Sequence, residues 1–210
     1  KYQDVFGLTV LDLAKKNKKI VGITPAMPSG SSLKFMMDEL PDRAIDVGIA
    51  EQHAVTAAAG MALGGMRPVV ALYSTFLSRA WGPVVYDVAL HRLPVIFCLD
   101  RAGITGDDGP SHHGIYDMAL LSKVPGMRVL APSSVEDLQQ MLHDAMTLAN
   151  DGPVVIRYPK GVARSVSPSL VGSGLNALKL ATGNGKIAIL AIGKMVTAAE
   201  KALDGLADLG

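Results

Sequence analysis

Val95-Ile96-Phe97-Cys98-Leu99, closed by Asp100-Arg101-Ala102-Gly103, is the stretch that decides the fold. A strand with one wet face alternates apolar and polar side chains. A run with no polar residue is instead buried on both faces. Pro94 and Gly103 bound it to strand length. Cys98 lies in this apolar run, where cysteine acts as a small hydrophobe rather than a reactive thiol. It is the only cysteine, which excludes an internal disulfide and a multi-cysteine metal site and fits a reducing compartment.

Working outward, further β-branched runs at 20–23, 69–73, 127–130 and 154–158, with a shorter one at 44–47, read as strands. Between them, helical patterns occupy 5–16, 52–63, 79–90, 115–121 and 135–148. Ser133-Ser134 followed by Glu136-Asp137 is a helix start by capping and dipole logic. Strands alternating with helices imply an α/β fold: a doubly wound, mostly parallel sheet with helices on both faces. That domain spans 1–161. Residues 162–185, rich in Gly and Ser, read as a linker, and 186–210 as the first strand (186–193) and helix (196–209) of a truncated second α/β domain.

Composition narrows the function classes. Hydrophobic residues make up 49% of the 210 and charged ones 19%, enough for a large core. A net charge of +1 gives no reason to expect nucleic acid or an anionic membrane as partner. No apolar run approaches the roughly 20 residues that span a bilayer. The start, Lys1-Tyr2-Gln3-Asp4-Val5, has neither the layout of a signal peptide nor an initiating Met, so the chain is expected to begin mid-protein and to be cytoplasmic.

In open α/β sheets ligands sit beyond the carboxyl ends of the strands, and four segments there are chemically dense. Asp46-Val47-Gly48-Ile49-Ala50-Glu51-Gln52-His53 sets Glu51 at a loop-to-helix junction before an Ala- and Gly-rich helix. A first-turn Glu is favoured by the helix dipole alone. The small residues instead imply tight packing and a partly desolvated carboxyl, as acid–base work requires. Tyr73-Ser74-Thr75-Phe76-Leu77-Ser78-Arg79 offers Phe76 for ring stacking or simply for packing. The loop 100–114 holds four Gly, three Asp, two His and an Arg, more titratable groups than a structural loop needs. Adjacent His112 and His113 lack further ligands at metal spacing, so no metal is expected, and proton transfer suits His112 better. In Arg157-Tyr158-Pro159-Lys160-Gly161 an arginine ends a buried strand. Arg101 and Arg157 together read either as a phosphate clamp or as structural ion pairs to loop aspartates.

Taken in order, Asp-Val-Gly-Ile-Ala-Glu-Gln-His at 46–53, Tyr-Ser-Thr-Phe at 73–76, Asp-Arg-Ala-Gly at 100–103, Asp-Gly-Pro-Ser-His-His-Gly at 108–114 and Arg-Tyr-Pro-Lys-Gly at 157–161 resemble the 1-deoxy-D-xylulose-5-phosphate synthase family of transketolase-like thiamine-diphosphate enzymes. The resemblance covers 1–161 and, more loosely, the tail, and implies the pyrimidine-binding domain. It implies that Glu51 hydrogen-bonds the aminopyrimidine ring and so activates the cofactor. By the same resemblance Phe76 stacks on that ring and Arg79 lies beside it. Tyr73, Arg101 and Arg157 hold the phosphate of D-glyceraldehyde 3-phosphate, and Asp108 and His112 stand at the mouth, His112 as a proton-transfer group. The implied reaction joins pyruvate, with decarboxylation, to that aldehyde, serving isoprenoid, thiamine and pyridoxal precursor synthesis in the bacterial cytoplasm by a homodimer. Two departures stand out. His113 occupies a position where the family often has Gln, and the chain contains no Gly-Asp-Gly, the family's magnesium-binding motif. The resemblance therefore implies that Mg2+ and the cofactor's diphosphate are held by a domain outside this chain, without which it is inactive.

Two other readings compete. A transketolase would carry a His-Asp pair near position 100, and the β subunit of a 2-oxo acid dehydrogenase would lack the two arginines. A non-catalytic assembly module would use the Ala/Gly helix after Glu51 as an interface.

Overall fold

In the computed structural model, which describes residues 1–183 and 186–206, six strands form one sheet. They are β1 (Ile20–Thr24), β2 (Ala44–Asp46), β3 (Arg67–Tyr73), β4 (Ile96–Asp100), β5 (Arg128–Leu130) and β6 (Val154–Arg157). Their order is β2-β1-β3-β4-β6-β5 and every pairing is parallel.

The unbroken apolar run of β4 explains itself in this setting. Ile96 and Cys98 enter the core on one face of the sheet, whereas Phe97 and Leu99 enter the core on the other. Burial pushes the Cys98 thiol well up from its ordinary range, as a core cysteine should behave. The first face is covered by α1 (Tyr2–Lys16), α2 (Lys34–Glu39) and α6 (Val135–Leu148). α1 presents Phe6, Val10, Leu13 and Ala14, the i, i+4, i+7, i+8 stripe of an amphipathic helix. α6 starts where expected: Ser134 Oγ accepts from the Asp137 N–H at 3.1 Å, and Asp137 Oδ2 accepts from the Ser133 N–H at 2.9 Å. The second face is covered by α3 (Glu51–Leu63), a mixed helical segment from 74 to 89, and α5 (Asp117–Leu121). α3 buries Ala54, Val55, Ala58, Ala59 and Ala62, whose small side chains bring its axis close to the sheet.

Two sequence expectations need correction. The single helix expected over 79–90 is broken into a 3-10 helix (Ser74–Ala80), α4 (Trp81–Pro83) and a π-helical stretch (Val84–Ala89). Pro83 has no N–H to continue the ladder. Beyond it the bonds run from i to i+5, with the Leu90 N–H on Val85 O at 2.9 Å and the Leu93 N–H on Val88 O at 3.1 Å. The strand expected at 186–193 is absent, and Ile187, Ile189, Leu190 and Ile192 are exposed. No neighbouring strand lies beside it among the described residues, and a strand without a ladder partner has nothing to hold it. The helix that follows is α7 (Met195–Leu206), and the remainder of the expected 196–209 lies outside the described residues.

The chain leaves β1 for β2 on one side and returns to β3 on the other. The carboxyl ends of β1 and β3 therefore flank the point where the winding reverses, the usual place for a ligand crevice. The loops after these strands close on each other there: a Cβ at Gly30 would lie 2.2 Å from Tyr73 Oη. Among the described residues no helix is long and apolar enough to cross a membrane.

Candidate active site

Glu51 opens α3 and is only 3% exposed. Its Oε2 accepts from Arg79 Nε at 2.7 Å, while its Oε1 takes no hydrogen bond from the described residues. Arg79 reaches it from the 3-10 helix after β3. In a 3-10 helix residues i and i+3 eclipse, so Phe76 and Arg79 share a face. The structure thus gathers Glu51, Arg79 and Phe76 at one corner: a buried carboxylate with one oxygen anchored, beside an aromatic ring. This donor set fits a flat heterocycle that needs one strong acid–base partner and one apolar face.

A second group surrounds Tyr73, the last residue of β3 and the register partner of Asp100 at the end of β4. The Arg101 guanidinium carbon sits 4.0 Å from the centre of the Tyr73 ring. Phe76 stacks beside Tyr73 with centroids 5.9 Å apart, and His112 meets Phe76 edge-on at 5.4 Å. Burial raises the Tyr73 hydroxyl above its ordinary range despite the nearby Arg101 charge. Asp100 is 1% exposed, and loss of water pushes its carboxyl up to about 6, against the pull of Arg101.

The loop from 103 to 114 is pinched at its base. The Gly103 N–H donates to Gly114 O at 2.8 Å and the Gly114 N–H returns to Gly103 O at 2.9 Å. Gly114 admits no side chain, since a Cβ would lie 2.4 Å from Ser74 Oγ and 2.6 Å from Arg101 O. Inside the loop the Thr105 N–H donates to His113 Nδ1 at 3.2 Å, which makes His113 an internal brace. His112 stands at the rim, its Nδ1 3.0 Å from Ser111 Oγ. Lys160, from the segment after β6, ties the loop down by donating to Asp107 Oδ1 at 2.7 Å and Asp108 Oδ1 at 2.6 Å. These bonds raise the lysine's pKa, and the same contact holds Asp107 below the usual carboxylate range.

The two arginines are each tied to a different carboxylate. Arg157 is in register with Leu99, whereas Tyr73 is in register with Asp100, one residue further on. Side chains alternate between faces, so Arg157 leaves the sheet opposite to Asp100 and Tyr73. There its Nε donates to the buried Asp117 Oδ2 at 2.7 Å. Arg101 is paired with Asp100 at 2.6 Å and lies 3.7 Å from Asp108. Each arginine thus holds its own carboxylate, and Arg157's partner comes from α5 rather than from the loop after β4.

The sequence reading left out Asp100, Asp117 and Lys160. Asp100 and Lys160 stood inside quoted motifs, and the charge balance between Lys160 and Asp107-Asp108 was the available signal. No group of three or more His, Cys, Asp or Glu side chains suited to a metal ion occurs among the described residues.

Residues 1–165 match the family model of the transketolase pyrimidine-binding domain. A 1-deoxy-D-xylulose-5-phosphate synthase of Cytophaga hutchinsonii is 56% identical over 161 residues, covering 77% of this chain and 25% of that protein. Synthases of the same name from Bacteroides fragilis and Thermomicrobium roseum are 46% and 47% identical, covering 97% and 100% of this chain and 32% and 34% of theirs. The chain therefore spans a quarter to a third of the length of these curated relatives. Among solved structures, a split-gene transketolase, described as an inactive β4 tetramer, superposes with a TM-score of 0.85 at 26% identity, covering all of this chain and 68% of that one. The transketolase of Campylobacter jejuni gives 0.85 at 19% identity, covering 99% of this chain and 33% of that one, a likeness of fold alone. With the family model matched over 165 of 210 residues, the chain belongs to the transketolase pyrimidine-binding domain family.

Proposed function

We propose that this chain is the pyrimidine-binding part of a bacterial, cytoplasmic, thiamine-diphosphate-dependent 1-deoxy-D-xylulose-5-phosphate synthase, which joins pyruvate, with loss of carbon dioxide, to D-glyceraldehyde 3-phosphate. The observation that carries it is the corner formed by Glu51, Arg79 and Phe76, with Glu51 buried and one of its oxygens taking no hydrogen bond from the described residues. When bound, thiamine diphosphate supplies the electron sink for the decarboxylation and the carbon–carbon bond. Glu51 holds a proton at Oε1 against a ring nitrogen, and Arg79 fixes the carboxyl's orientation. Phe76 offers its face to the pyrimidine. His112, at the rim beside Phe76, moves protons to and from the substrates, and Asp108 shapes the mouth. Tyr73, Arg101 and Arg157 receive the substrate phosphate. Arg157 does so with its terminal nitrogens, since its Nε is on Asp117. Mg2+ and the cofactor's diphosphate are held by a domain outside this chain, in an enzyme that works as a homodimer.

The relatives' names favour this reading over ketol transfer. The two are separated by substrate choice in a full-length protein carrying this chain. Pyruvate decarboxylation that accelerates with D-glyceraldehyde 3-phosphate is expected. Ketol transfer from D-xylulose 5-phosphate without pyruvate turnover would overturn the assignment.

A further inference from the structure

Asp100 has no part in the roles above, yet its geometry is unusually committed. It is a carboxylate with 1% exposure, a state that costs stability unless the charge is paired. Both of its oxygens go to one neighbour. Oδ1 accepts from the Arg101 N–H at 2.6 Å and Oδ2 accepts from Arg101 Nη1 at 2.6 Å. It takes no other side-chain hydrogen bond among the described residues, so it braces nothing except Arg101. Arg101 in turn adopts φ of +57°, the left-handed region that residues with a side chain rarely enter. That turn folds the guanidinium back over the strand end, with the Tyr73 ring 4.0 Å away and the Gly30 carbonyl accepting from Nη1 at 3.1 Å.

The consequence lies in which nitrogens remain. Nη1 is spent on Asp100 and Gly30. Nε and Nη2 form the opposite edge of the planar fork, the side-on pair that grips two oxygens of a phosphate at once. Nε is buried without a hydrogen bond among the described residues, and Asp108 Oδ2 faces it from 3.7 Å, equally without one there. A donor edge that makes no hydrogen bond among the described residues, with only the Asp108 carboxylate facing it, is thus held at the end of the crevice strands.

We infer that Asp100 is a positioning residue that pins Arg101 through its backbone N–H and Nη1, so that the Nε/Nη2 edge is presented to the phosphate of the aldehyde substrate. The inference rests on the reading of Arg101 as a phosphate-binding residue, and the test separates the two. It uses a full-length protein carrying this chain, loaded with cofactor and pyruvate, and compares D-glyceraldehyde 3-phosphate with unphosphorylated D-glyceraldehyde. The readout is the ratio of kcat/KM for the two aldehydes, which a general loss of structure would not shift. Asp100→Asn keeps the volume but turns a donor toward Nη1, and should lower the ratio about tenfold or more. Arg101→Met should lower it at least as far, and the double variant no further than Arg101→Met alone, because both act through one group. If Arg101→Met lowers the ratio while Asp100→Asn leaves it within about twofold, the inference falls and the phosphate reading stands. If Arg101→Met leaves the ratio unchanged, the phosphate reading itself falls, and the inference with it. Should Asp100→Asn fail to fold, Arg101→Lys tests the same claim. Lysine keeps the charge beside Asp100 but has no two-nitrogen edge, so a lowered ratio supports the pinned fork and a wild-type ratio overturns it.

Discussion

At the scale of single residues, a buried acid next to its own cation behaves differently from an exposed one. Asp100 is held up to about 6, chiefly by loss of water and against the pull of Arg101. Its proton is therefore bound more tightly in the folded protein than in the unfolded chain, where a carboxyl titrates near 3.8. Ionising it costs stability. The favourable contribution is complete below the unfolded value and lost as pH rises through about 6. The loss is on the order of 3 kcal/mol. Asp100→Asn has no such proton, so urea unfolding of both proteins should show the wild type losing about that much relative to the variant between roughly pH 4 and pH 6.5. A difference that stays flat with pH would contradict the account. Asp100 was hard to read from sequence because Asp-Arg side by side looks like two charges that cancel in solvent. Only the left-handed backbone of Arg101 turns the pair inward. The burial of Glu51 was legible because it opens a helix of Ala and Gly, whose small side chains let that helix pack closely.

Among elements, the strands read well and the connections less so. β4 and β6 were visible because both faces of the sheet are dry and the runs admit no polar residue before their last position. α6 was visible because its stripe of Leu138, Leu142 and Ala145 follows a Ser cap. The segment from 74 to 89 misled because apolar spacing carries no mark of a change from 3-10 to π winding. The partner of Arg157 was hidden for a related reason: Asp117 lies 40 residues away and on another element. The loop from 103 to 114 is the element most directly tied to the site. Its base is held by backbone bonds and its tip by Lys160. Lys160→Met should therefore speed amide hydrogen exchange in residues 104–113 by roughly threefold to tenfold and leave the sheet amides unchanged. Exchange in the loop equal to wild type would show that the lysine does not latch it.

For the whole molecule, the class was legible and the order of strands was not. Alternating strands and helices announce a parallel sheet covered on both sides, but nothing local says that β6 inserts between β4 and β5. The tail was misread for the complementary reason. An apolar run at 187–192 predicts a strand only if a sheet receives it, and no strand among the described residues pairs with it. At the corner the structure sets a buried carboxyl anchored by Arg79 at the start of a helix. The claim that Glu51 activates a thiamine cofactor is tested most directly by Glu51→Gln in a full-length protein carrying this chain, assayed for pyruvate turnover with D-glyceraldehyde 3-phosphate at saturating cofactor. Glutamine keeps the shape of the side chain and removes its acid, so a folded protein with turnover reduced by roughly 10²- to 10⁴-fold is predicted. A folded variant that turns over at the wild-type rate would contradict the account.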